Sequence, residues 1–325
     1  MPRFWSIFFE RSFDMTGKPI PIICDCDPGH DDAIMLMLAK ASERVKVLAV
    51  TTCCGNQTIE KTTYNARRVC TLLGLNVPIA MGRPRPLLGL PMTAGNIHGQ
   101  SGLDGPKLPE PKVPLLDIPS VELMARVLRA SIDPVTIVST GPLTNTAALL
   151  LAHPELKEKI ARISLMGGGL KHGNWTPAAE FNILVDPEAA DTVLRSGIPV
   201  TMSGLDVTLQ ALIFEEDFAR IRAVGNRVAQ VVADWLEFFY GFHREKGYAG
   251  APLHDVCAVA VLIAPELFEM HDYNVEVELS GEYTRGATVA DIYNRWGREP
   301  NAACVTGLNR EGFVDLLIKA VESYG

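Results

Sequence analysis

The chain has 325 residues, 47% of them hydrophobic, and its 38 acidic side chains outnumber 30 basic ones, for a formal net charge of −8. This length is enough for one large α/β domain or two ordinary ones. The acidic balance and the lack of Lys/Arg runs exclude a typical nucleic-acid-binding protein. No apolar stretch is long enough to span a membrane, and seven Cys outside any paired zinc-site spacing favour a reduced, cytoplasmic protein.

The first 17 residues differ in pattern from those that follow. The apolar segment 4–9 ends at Glu10 and is too short for the core of a signal peptide. Met15 stands shortly before a plausible domain start at Lys18. We therefore predict that residues 1–17 are an appendage or a misassigned start, and that residues 18–325 form the functional domain.

Short apolar runs alternate with helical patterns along the first two thirds of the chain. This alternation predicts βαβ units and an α/β fold with one open, mostly parallel sheet and helices on both faces. The predicted strands are 20–25, 45–51, 77–80, 135–139, 161–166 and 198–203. The predicted helices between them are 31–43, 58–73, 119–130, 143–152 and 187–196.

Two long regions interrupt this alternation. Residues 82–114 contain seven Pro and six Gly without periodicity, which predicts a long loop of the kind that is usually functional or disordered. Residues 215–246 carry apolar side chains at spacings of three and four, which predicts a long helical region whose end around Phe242 and His243 could line a pocket. Further along, 273–279 and 286–292 are predicted strands, and 310–323 is a predicted closing helix.

The most informative segment is Asp25-Cys26-Asp27-Pro28-Gly29-His30-Asp31-Asp32. Its four carboxylates lie between a predicted strand and a predicted helix, where open α/β sheets bind their ligands. Like charges this close repel one another unless a cation or a proton offsets them. A hard divalent metal held by oxygen atoms is the simplest explanation.

Three other interpretations of the acidic segment are weaker. Capping of a helix explains two of the acids, but not the two on the strand side. An EF-hand loop starting at Asp25 needs a Glu at its twelfth position, where this chain has Leu36. An aspartyl-phosphate phosphatase would continue its Asp-x-Asp with Thr or Val, where this chain has Pro28.

With seven later segments, the acidic block resembles the signature of the inosine-uridine-preferring nucleoside hydrolase family. The resemblance covers about residues 20–322, and the combination is specific although each segment alone is weak. It implies hydrolysis of the N-glycosidic bond of ribonucleosides to ribose and free base, a bound Ca²⁺ ion, and a homodimer or homotetramer. The later segments are Gly55-Asn56, Ile97-His98-Gly99, the block 140–145, Met166-Gly167-Gly168, Gly173-Asn174, the block 179–189 and His254-Asp255.

The resemblance also implies roles for the acidic residues. Members of the family bind Ca²⁺ at the floor of the pocket, and its ligands here would be Asp27, Asp32, the backbone carbonyl of Thr140, and Asp255. All are oxygen donors, as Ca²⁺ requires. Asp27 would be the general base for the attacking water, and Asp31 would accept hydrogen bonds from the ribose hydroxyls.

The other substrate contacts follow from the same resemblance. Asn182 matches the residue that stabilises the strained ribose, while Asn174 and Glu180 match those that bind its 5′-hydroxyl. Asn56 would orient the carboxylates. The remaining predicted substrate contacts are Met166 and Phe181.

The histidines are assigned separately. His254 would contact the base as a proton donor, because imidazole titrates near neutrality. His98 would lie near the base from the Gly-rich loop. His30 stands at a variable position of the signature and receives no role. His172 and His243 are expected at the surface or behind the residues that contact substrate.

The preferred base stays open. Pyrimidine-preferring members carry a Gln and a Tyr upstream of the His-Asp pair, whereas an ungapped alignment places Phe242 and Lys246 there, with Tyr248 nearby. Two other functions remain as alternatives. A Mg²⁺-dependent phosphohydrolase would need a Lys or a Ser/Thr placed to hold phosphate, and a non-catalytic nucleoside- or Ca²⁺-binding protein would leave the acid and base residues unused.

Overall fold

The computed structural model describes residues 17–325, so the expectation for residues 1–17 falls, except for Gly17, outside the described residues. Strands and helices alternate through most of this part. The strands are β1 (Ile20–Cys26), β2 (Val45–Thr52), β3 (Ile79–Met81), β4 (Leu115–Leu116), β5 (Val135–Ser139), β6 (Ile160–Met166), β7 (Val200–Ser203), β8 (Leu212–Ile213), β9 (Ala251–Pro252), β10 (Phe268–Tyr273), β11 (Val275–Val277), β12 (Thr288–Ala290) and β13 (Ala302–Leu308).

The α-helices connect these strands or cover the sheet. Short 3₁₀ turns at Pro154–Lys159 and Pro265–Leu267 complete the described elements. The helices are α1 (His30–Ala41), α2 (Ile59–Leu73), α3 (Gly95–His98), α4 (Ser120–Ala130), α5 (Thr144–Ala152), α6 (Phe181–Val185), α7 (Pro187–Leu194), α8 (Leu205–Thr208), α9 (Glu215–Ala223), α10 (Arg227–Glu245), α11 (Val256–Ile263) and α12 (Arg310–Glu322). None of these helices is long and apolar enough to cross a membrane.

One sheet organises the described residues, in the strand order β10-β13-β7-β6-β5-β1-β2-β3-β4. Neighbouring strands are parallel except for β10, which is antiparallel to β13. Two large apolar clusters of buried side chains accompany the sheet, as expected when helices cover both of its faces. The fold class predicted from the sequence is confirmed.

The strand order changes direction between β1 and β5. From β1 the chain continues to β2 on one side, whereas from β5 it continues to β6 on the other. The loops at the carboxyl ends of these two strands therefore separate and leave a crevice, which is where open α/β sheets bind ligands. The acidic segment follows β1 and Thr140 follows β5, so the topology brings both to this crevice.

Helix α1 holds two of the acids rigidly. Its residues from His30 to Ala39 are all buried, and a helix that is buried all round must be apolar on every face beyond its functional turn. The run Ala33–Ala39 meets that demand. Asp31 and Asp32 therefore stand in the first turn of a helix that is packed on all sides.

The structure corrects several predicted elements. The region 215–246 is helical, as predicted, but it divides into α9 and α10, because Gly225 adopts a left-handed conformation (φ 82°) between them. The predicted strand 198–203 begins only at Val200, and the two later predicted strands shrink to β11 and β12. Residues 82–114 are mainly loop, as predicted, but contain the short helix α3 and end before β4.

Candidate functional site

A cavity of about 360 Å³ opens at the crevice between β1 and β5. Small-molecule sites typically measure roughly 300–1,000 Å³, so the volume suits a compact ligand. Asp27 and Asp32 are fully buried and are not part of its lining. The predicted site residues that line it are Asp31, Asn56, His98, Thr140, Met166, Asn174, Glu180, Phe181, Asn182, His254 and Asp255.

Three carboxylates converge at one end of the cavity. Asp31, Asp32 and Asp255 each place an oxygen so that the three atoms lie within 4.8 Å of one another. The first two belong to the first turn of α1, and Asp255 directly precedes α11. Oxygen atoms gathered this closely are a donor set for a hard divalent cation.

Asp32 is oriented by donors from three loops. Its Oδ1 accepts the hydroxyl of Thr140 at 2.8 Å, and its Oδ2 accepts the backbone N–H of Gly29 at 3.0 Å. The side-chain amide of Asn56 donates to the same Oδ2 at 3.1 Å. The carboxylate therefore keeps a fixed plane at the point where the loops after β1, β2 and β5 meet.

Only one of the two carboxylate oxygens of Asp27 has a hydrogen-bond partner. Its Oδ2 accepts the backbone N–H of Asn56 at 2.6 Å, whereas its Oδ1 is buried without a hydrogen-bond partner, as is Oδ1 of Asp31. A Cβ at Gly55 would lie 2.0 Å from Asp27 Oδ2, so only glycine leaves room for this carboxylate. Buried unpaired carboxylate oxygens are costly, and a cation or a protonated ligand would satisfy them.

Burial and mutual repulsion raise the pKa values of these acids. Burial, and then the charge of Asp32, raise the pKa of Asp31 to about 7 and that of Asp27 well above its usual range. The pKa of Asp255 is raised well above its usual range by burial and by Asp31. Near neutral pH the cluster therefore retains protons unless a cation takes their place, and its residues fit a divalent metal.

Asp25 lies apart from this cluster. Its Oδ1 accepts the hydroxyl of Thr51 at 2.7 Å and the amide of Asn145 at 2.8 Å, and its Oδ2 contacts the hydroxyl of Thr146 at 3.4 Å. Burial raises its pKa to about 6. The side chain therefore links β1, β2 and α5 and does not line the cavity.

Asn182 joins the loops that follow β5 and β6. Its amide donates to the carbonyls of Thr140 at 2.8 Å and Met166 at 3.2 Å, and it lies 3.4 Å from the sulfur of Met166. The two amide protons can therefore both be donated to backbone carbonyls, one to Thr140 and one to Met166. The carbonyl oxygen of the Asn182 side chain remains available to the cavity.

Glu180 and Asn174 line the cavity from the segment that leads into α6. Glu180 caps α6: its Oε2 accepts the backbone N–H groups of Gly168 at 3.0 Å and Ile183 at 3.2 Å. Burial raises its pKa to about 7. The Oδ1 of Asn174 accepts the backbone N–H of Phe181 at 3.0 Å. Each residue thus keeps one polar atom for the protein and one for a ligand.

Three histidines line the remaining wall. His254 Nδ1 lies 2.8 Å from the hydroxyl of Thr208, His98 belongs to α3, and His243 Nδ1 donates to the backbone carbonyl of Phe239 at 2.9 Å. Burial lowers the pKa of His254 to about 3 and holds the pKa of His98 and His243 below the usual range. All three rings are therefore neutral near pH 7.

The end of α10 and the loop after it form the cavity wall near these histidines. Phe242, Lys246 and Tyr248 all line the cavity, and the ammonium of Lys246 lies 5.8 Å from the centroid of the Phe242 ring. Lys246 is the only Lys or Arg among the described residues that line it. A phosphate subsite would need several basic side chains, and the described lining offers only Lys246.

His243 is buried and lines the cavity, as the sequence suggested for the end of the region 215–246, and His172 is exposed, one of the two positions expected for it. Sequence reasoning missed one histidine. His30 received no role, yet it is fully buried against His98. The position of His30 inside the acidic signature was the available signal, but its partner lies 68 residues away in the chain.

Comparisons with known proteins agree with this geometry. The model of the family described as "Inosine-uridine preferring nucleoside hydrolase" matches residues 22–315. A protein named pyrimidine-specific ribonucleoside hydrolase RihA, from Escherichia coli O7:K1 (strain IAI39 / ExPEC), is 54% identical over 308 residues, which are 94% of this chain and 99% of that protein. A protein of the same name from Shigella flexneri shows the same identity and coverage.

Solved structures share the fold. A purine-preferring ribonucleoside hydrolase from Gardnerella vaginalis is 30% identical, with a TM-score of 0.88 over 94% of this chain and 98% of that one. An inosine-uridine preferring nucleoside hydrolase from Bacillus anthracis, 20% identical, has a TM-score of 0.80 over 94% of this chain and 99% of that one, which supports the fold alone. Because the family model spans most of the sequence and relatives at 54% identity align along nearly their whole length, the chain belongs to the inosine-uridine-preferring nucleoside hydrolases, enzymes that cleave the N-glycosidic bond of ribonucleosides.

Proposed function

We propose that this enzyme is a Ca²⁺-dependent hydrolase whose preferred substrates are the pyrimidine ribonucleosides uridine and cytidine. One observation carries the proposal: a ligand-sized cavity is lined by Asp31 and Asp255, whose oxygens converge with one of the buried Asp32, and Oδ1 of the buried Asp27 has no hydrogen-bond partner. A cation among these carboxylates would satisfy the orphaned oxygens and leave the rest of the cavity for a nucleoside.

Four groups would hold the Ca²⁺ ion: Asp27, Asp32, Asp255 and the backbone carbonyl of Thr140. The carbonyl already accepts the amide of Asn182 at 2.8 Å, and its second lone pair remains free for a cation. Asp31 is close enough to share in the site. When bound, Ca²⁺ offsets the carboxylate charge, binds vicinal hydroxyls and lowers the pKa of a nearby water.

Different residues would then act at different steps of the hydrolysis. Asp27 takes a proton from water as the water oxygen bonds to C1′ of the ribose. The N-glycosidic bond breaks, and its electron pair leaves with the base through an oxocarbenium-like transition state. The departing base takes up one proton from the surrounding water, and Asp27 later releases the proton that it took, so the products are ribose and free base and the enzyme is restored. His254 and His98 line the same cavity and would lie beside the departing base.

The sugar would be recognised by residues between the two ends of the cavity. Asp31 would accept hydrogen bonds from the 2′- and 3′-hydroxyls, and the free carbonyl oxygen of Asn182 would lie near the ring that gains positive charge. Glu180 and Asn174 would bind the 5′-hydroxyl. Each has a polar atom that its structural hydrogen bond does not use.

Two observations support the pyrimidine preference. The relatives at 54% identity are named pyrimidine-specific, whereas the purine-preferring enzyme from Gardnerella vaginalis is 30% identical. The base wall also carries His243, Lys246 and Tyr248, polar groups able to bind the oxygen and nitrogen atoms of a pyrimidine edge. Lys246 and Tyr248 would then replace the Gln and Tyr of other pyrimidine-preferring members.

A substrate panel tests the proposal. Release of free base from uridine, cytidine, inosine, adenosine and guanosine should show the highest kcat/KM for the two pyrimidine nucleosides. The activity should disappear on chelation and return with Ca²⁺. Faster cleavage of inosine than uridine would contradict the base preference, and full restoration by Mg²⁺ but not Ca²⁺ would contradict the metal. A cytoplasmic homodimer or homotetramer, to be tested by light scattering and localisation, remains part of the proposal.

A further inference from the structure

Thr208 and His254 are 46 residues apart in the chain, but a side-chain hydrogen bond joins them in the fold. The antiparallel strands β8 and β9 bring them together, since β8 begins four residues after Thr208 and β9 ends two residues before His254. The backbone N–H of Leu253 also donates to the carbonyl of Ala211 at 3.0 Å. Backbone pairing therefore sets the position of the two side chains.

Helix α8 holds Thr208 behind the wall of the cavity. The backbone N–H of Leu205, its first residue, donates to the carbonyl of Gly168 at 2.9 Å, so the helix is attached to the loop after β6. Thr208 is fully buried and is not part of the cavity lining, whereas His254 lines the cavity. An anchored hydroxyl thus supports a histidine that a ligand can reach.

The hydrogen bond between the two side chains has only one consistent direction. Oγ1 of Thr208 lies 2.8 Å from Nδ1 of His254 and has no other hydrogen-bond partner among the described residues. A Thr hydroxyl on a helix often donates to the carbonyl four residues earlier, but here that carbonyl, of Gly204, accepts the backbone N–H groups of Val207 and Thr208. If Nδ1 carried a proton, the buried hydroxyl proton would have no acceptor, which costs more than an unused lone pair. The hydroxyl therefore donates and Nδ1 accepts.

This direction determines where the proton of the ring is. An imidazole whose Nδ1 accepts a hydrogen bond is neutral and carries its proton on Nε2. Nε2 of His254 has no hydrogen-bond partner among the described residues, so its N–H is the donor that remains for a ligand in the cavity. Linked hydrogen bonds polarise one another, and the hydroxyl at Nδ1 therefore makes Nε2–H a stronger donor.

We propose that Thr208 is a positioning residue for departure of the nucleobase: its hydroxyl holds His254 in the Nε2–H form, and that N–H binds the leaving base. As the N-glycosidic bond breaks, its electron pair moves onto the base, and the N–H stabilises the resulting negative charge without giving up its proton. Thr208 itself does not touch the substrate. The inference rests on the proposed function, because it requires a departing base.

The position of the ring proton can be measured without turnover. In wild-type enzyme carrying ¹⁵N-labelled histidine, the ¹⁵N chemical shifts distinguish protonated from unprotonated ring nitrogens. The signals of His254 are those that are missing from the His254→Ala variant. We expect Nε2 of His254 to be protonated and Nδ1 to be unprotonated. A proton on Nδ1 would overturn the inference, whatever the activity of the enzyme.

Comparing two leaving groups tests the role in the reaction. Turnover is measured for uridine and for p-nitrophenyl β-D-riboside, whose activated leaving group needs little stabilisation. Thr208→Val keeps the shape of the side chain but leaves Nδ1 of His254 without a donor. We expect kcat for uridine to fall at least about fivefold, as for the loss of one buried hydrogen bond, and kcat for the p-nitrophenyl riboside to change less than about twofold. Equal losses on both substrates would show a merely structural role.

A double-mutant cycle tests whether Thr208 acts through His254. If it does, the variant carrying both Thr208→Val and His254→Ala should lose no more activity on uridine than His254→Ala alone. Losses that multiply would overturn the inference. A wild-type enzyme that releases no base from either substrate would overturn the proposed function itself, and the ring-proton measurement distinguishes this result from a failure of the hydrogen bond.

Two further variants provide matched controls. Thr208→Ser keeps the hydroxyl and should retain most of the uridine activity, so a loss as large as that of Thr208→Val would contradict the proposal. Thr192→Val removes a hydroxyl that donates to the backbone carbonyl of Glu188 at 2.8 Å, and neither residue lines the cavity. It should leave both substrates unaffected, and a selective loss on uridine would count against the comparison. If Thr208→Val fails to fold, Thr208→Ala removes the same hydroxyl, and the ring proton of the wild-type enzyme still decides.

Discussion

The two ends of the cavity are built in different ways. At the acidic end, the carboxylates stand directly after a strand, in the first turn of a buried helix or directly before one, and backbone N–H groups orient Asp27 and Asp32. At the base end, the wall comes from a Gly-rich loop and the last turns of α10, joined mainly by contacts between rings. Under the proposed function, the ends of the sheet strands would therefore carry out the hydrolysis, while the surrounding elements would select the base.

The largest effect should come from removing the metal. After chelation, kcat/KM for uridine should fall to less than about a thousandth, because the general base loses its oriented water and the carboxylates repel one another; loss of a general base alone costs roughly 10²–10⁴-fold. Metal content and base release are measured on the same sample. Full activity in a preparation shown to be metal-free would contradict the proposed role of the acidic end.

The same metal should stabilise the fold in a pH-dependent way. Burial raises the pKa of Asp31 to about 7 in the metal-free fold, whereas a carboxylate of the unfolded chain has a pKa of about 4. Between these two pH values the metal-free fold therefore binds a proton that the unfolded chain does not bind. Its carboxylates thus destabilise the metal-free fold more at pH 8 than at pH 5. We expect the rise in Tm on adding Ca²⁺ to be larger at pH 8.

The buried histidines contribute with the opposite sign. Their lowered pKa values mean that the unfolded chain binds more protons below about pH 6.5, so their contribution to stability falls as the pH falls. This contribution is common to both forms and cancels when Tm is compared with and without Ca²⁺. An equal Tm rise at both pH values would mean that protons and Ca²⁺ do not compete for the acidic end.

The next effect concerns Asp27, the proposed general base at the acidic end. Asp27→Asn keeps the shape of the side chain but removes its charge and its capacity to accept a proton, so kcat should fall at least about a hundredfold. The loss should be the same for uridine and for p-nitrophenyl riboside, since attack by water is needed for both. Asp133→Asn, at an exposed position, is the matched control. A change of only a few-fold would mean that another residue activates the water.

The same contrast explains what the sequence could reveal. The acidic end was predictable in part: Asp27, Asp31 and Asp32 are near neighbours in the chain at a strand end of a recognisable βαβ pattern, whereas Asp255 followed only from the family resemblance. The wall at the base end was not predictable, because His30 and His98 are 68 residues apart in the chain and come into contact only in the folded protein. Helix α11 also escaped prediction, since all eight of its residues are buried and apolar, and such a run shows no period.

A smaller effect is expected at the 5′ side of the sugar. Glu180 is buried at the end of the cavity, and no Lys or Arg of the described lining lies there to hold a phosphate. We expect uridine 5′-monophosphate to be cleaved at least about a hundredfold less efficiently than uridine, because buried polar groups reject a ligand that they cannot pair. 2′-Deoxyuridine should be similarly poor. Glu180→Gln should narrow the gap for the monophosphate but not for the deoxynucleoside.

The smallest effect should appear at the base wall. Tyr248→Phe removes one hydroxyl from a wall that also offers His243 and Lys246, so the loss should be a few-fold, on the order of one hydrogen bond shared with alternatives. It should lower kcat/KM for uridine and cytidine while leaving p-nitrophenyl riboside unchanged, since that leaving group has no pyrimidine edge. The matched control is Tyr283→Phe, at a tyrosine that is 81% exposed. If Tyr248→Phe instead impaired both classes of substrate equally, the two ends of the cavity would not act separately, and selection of the base would have to be assigned to the acidic end.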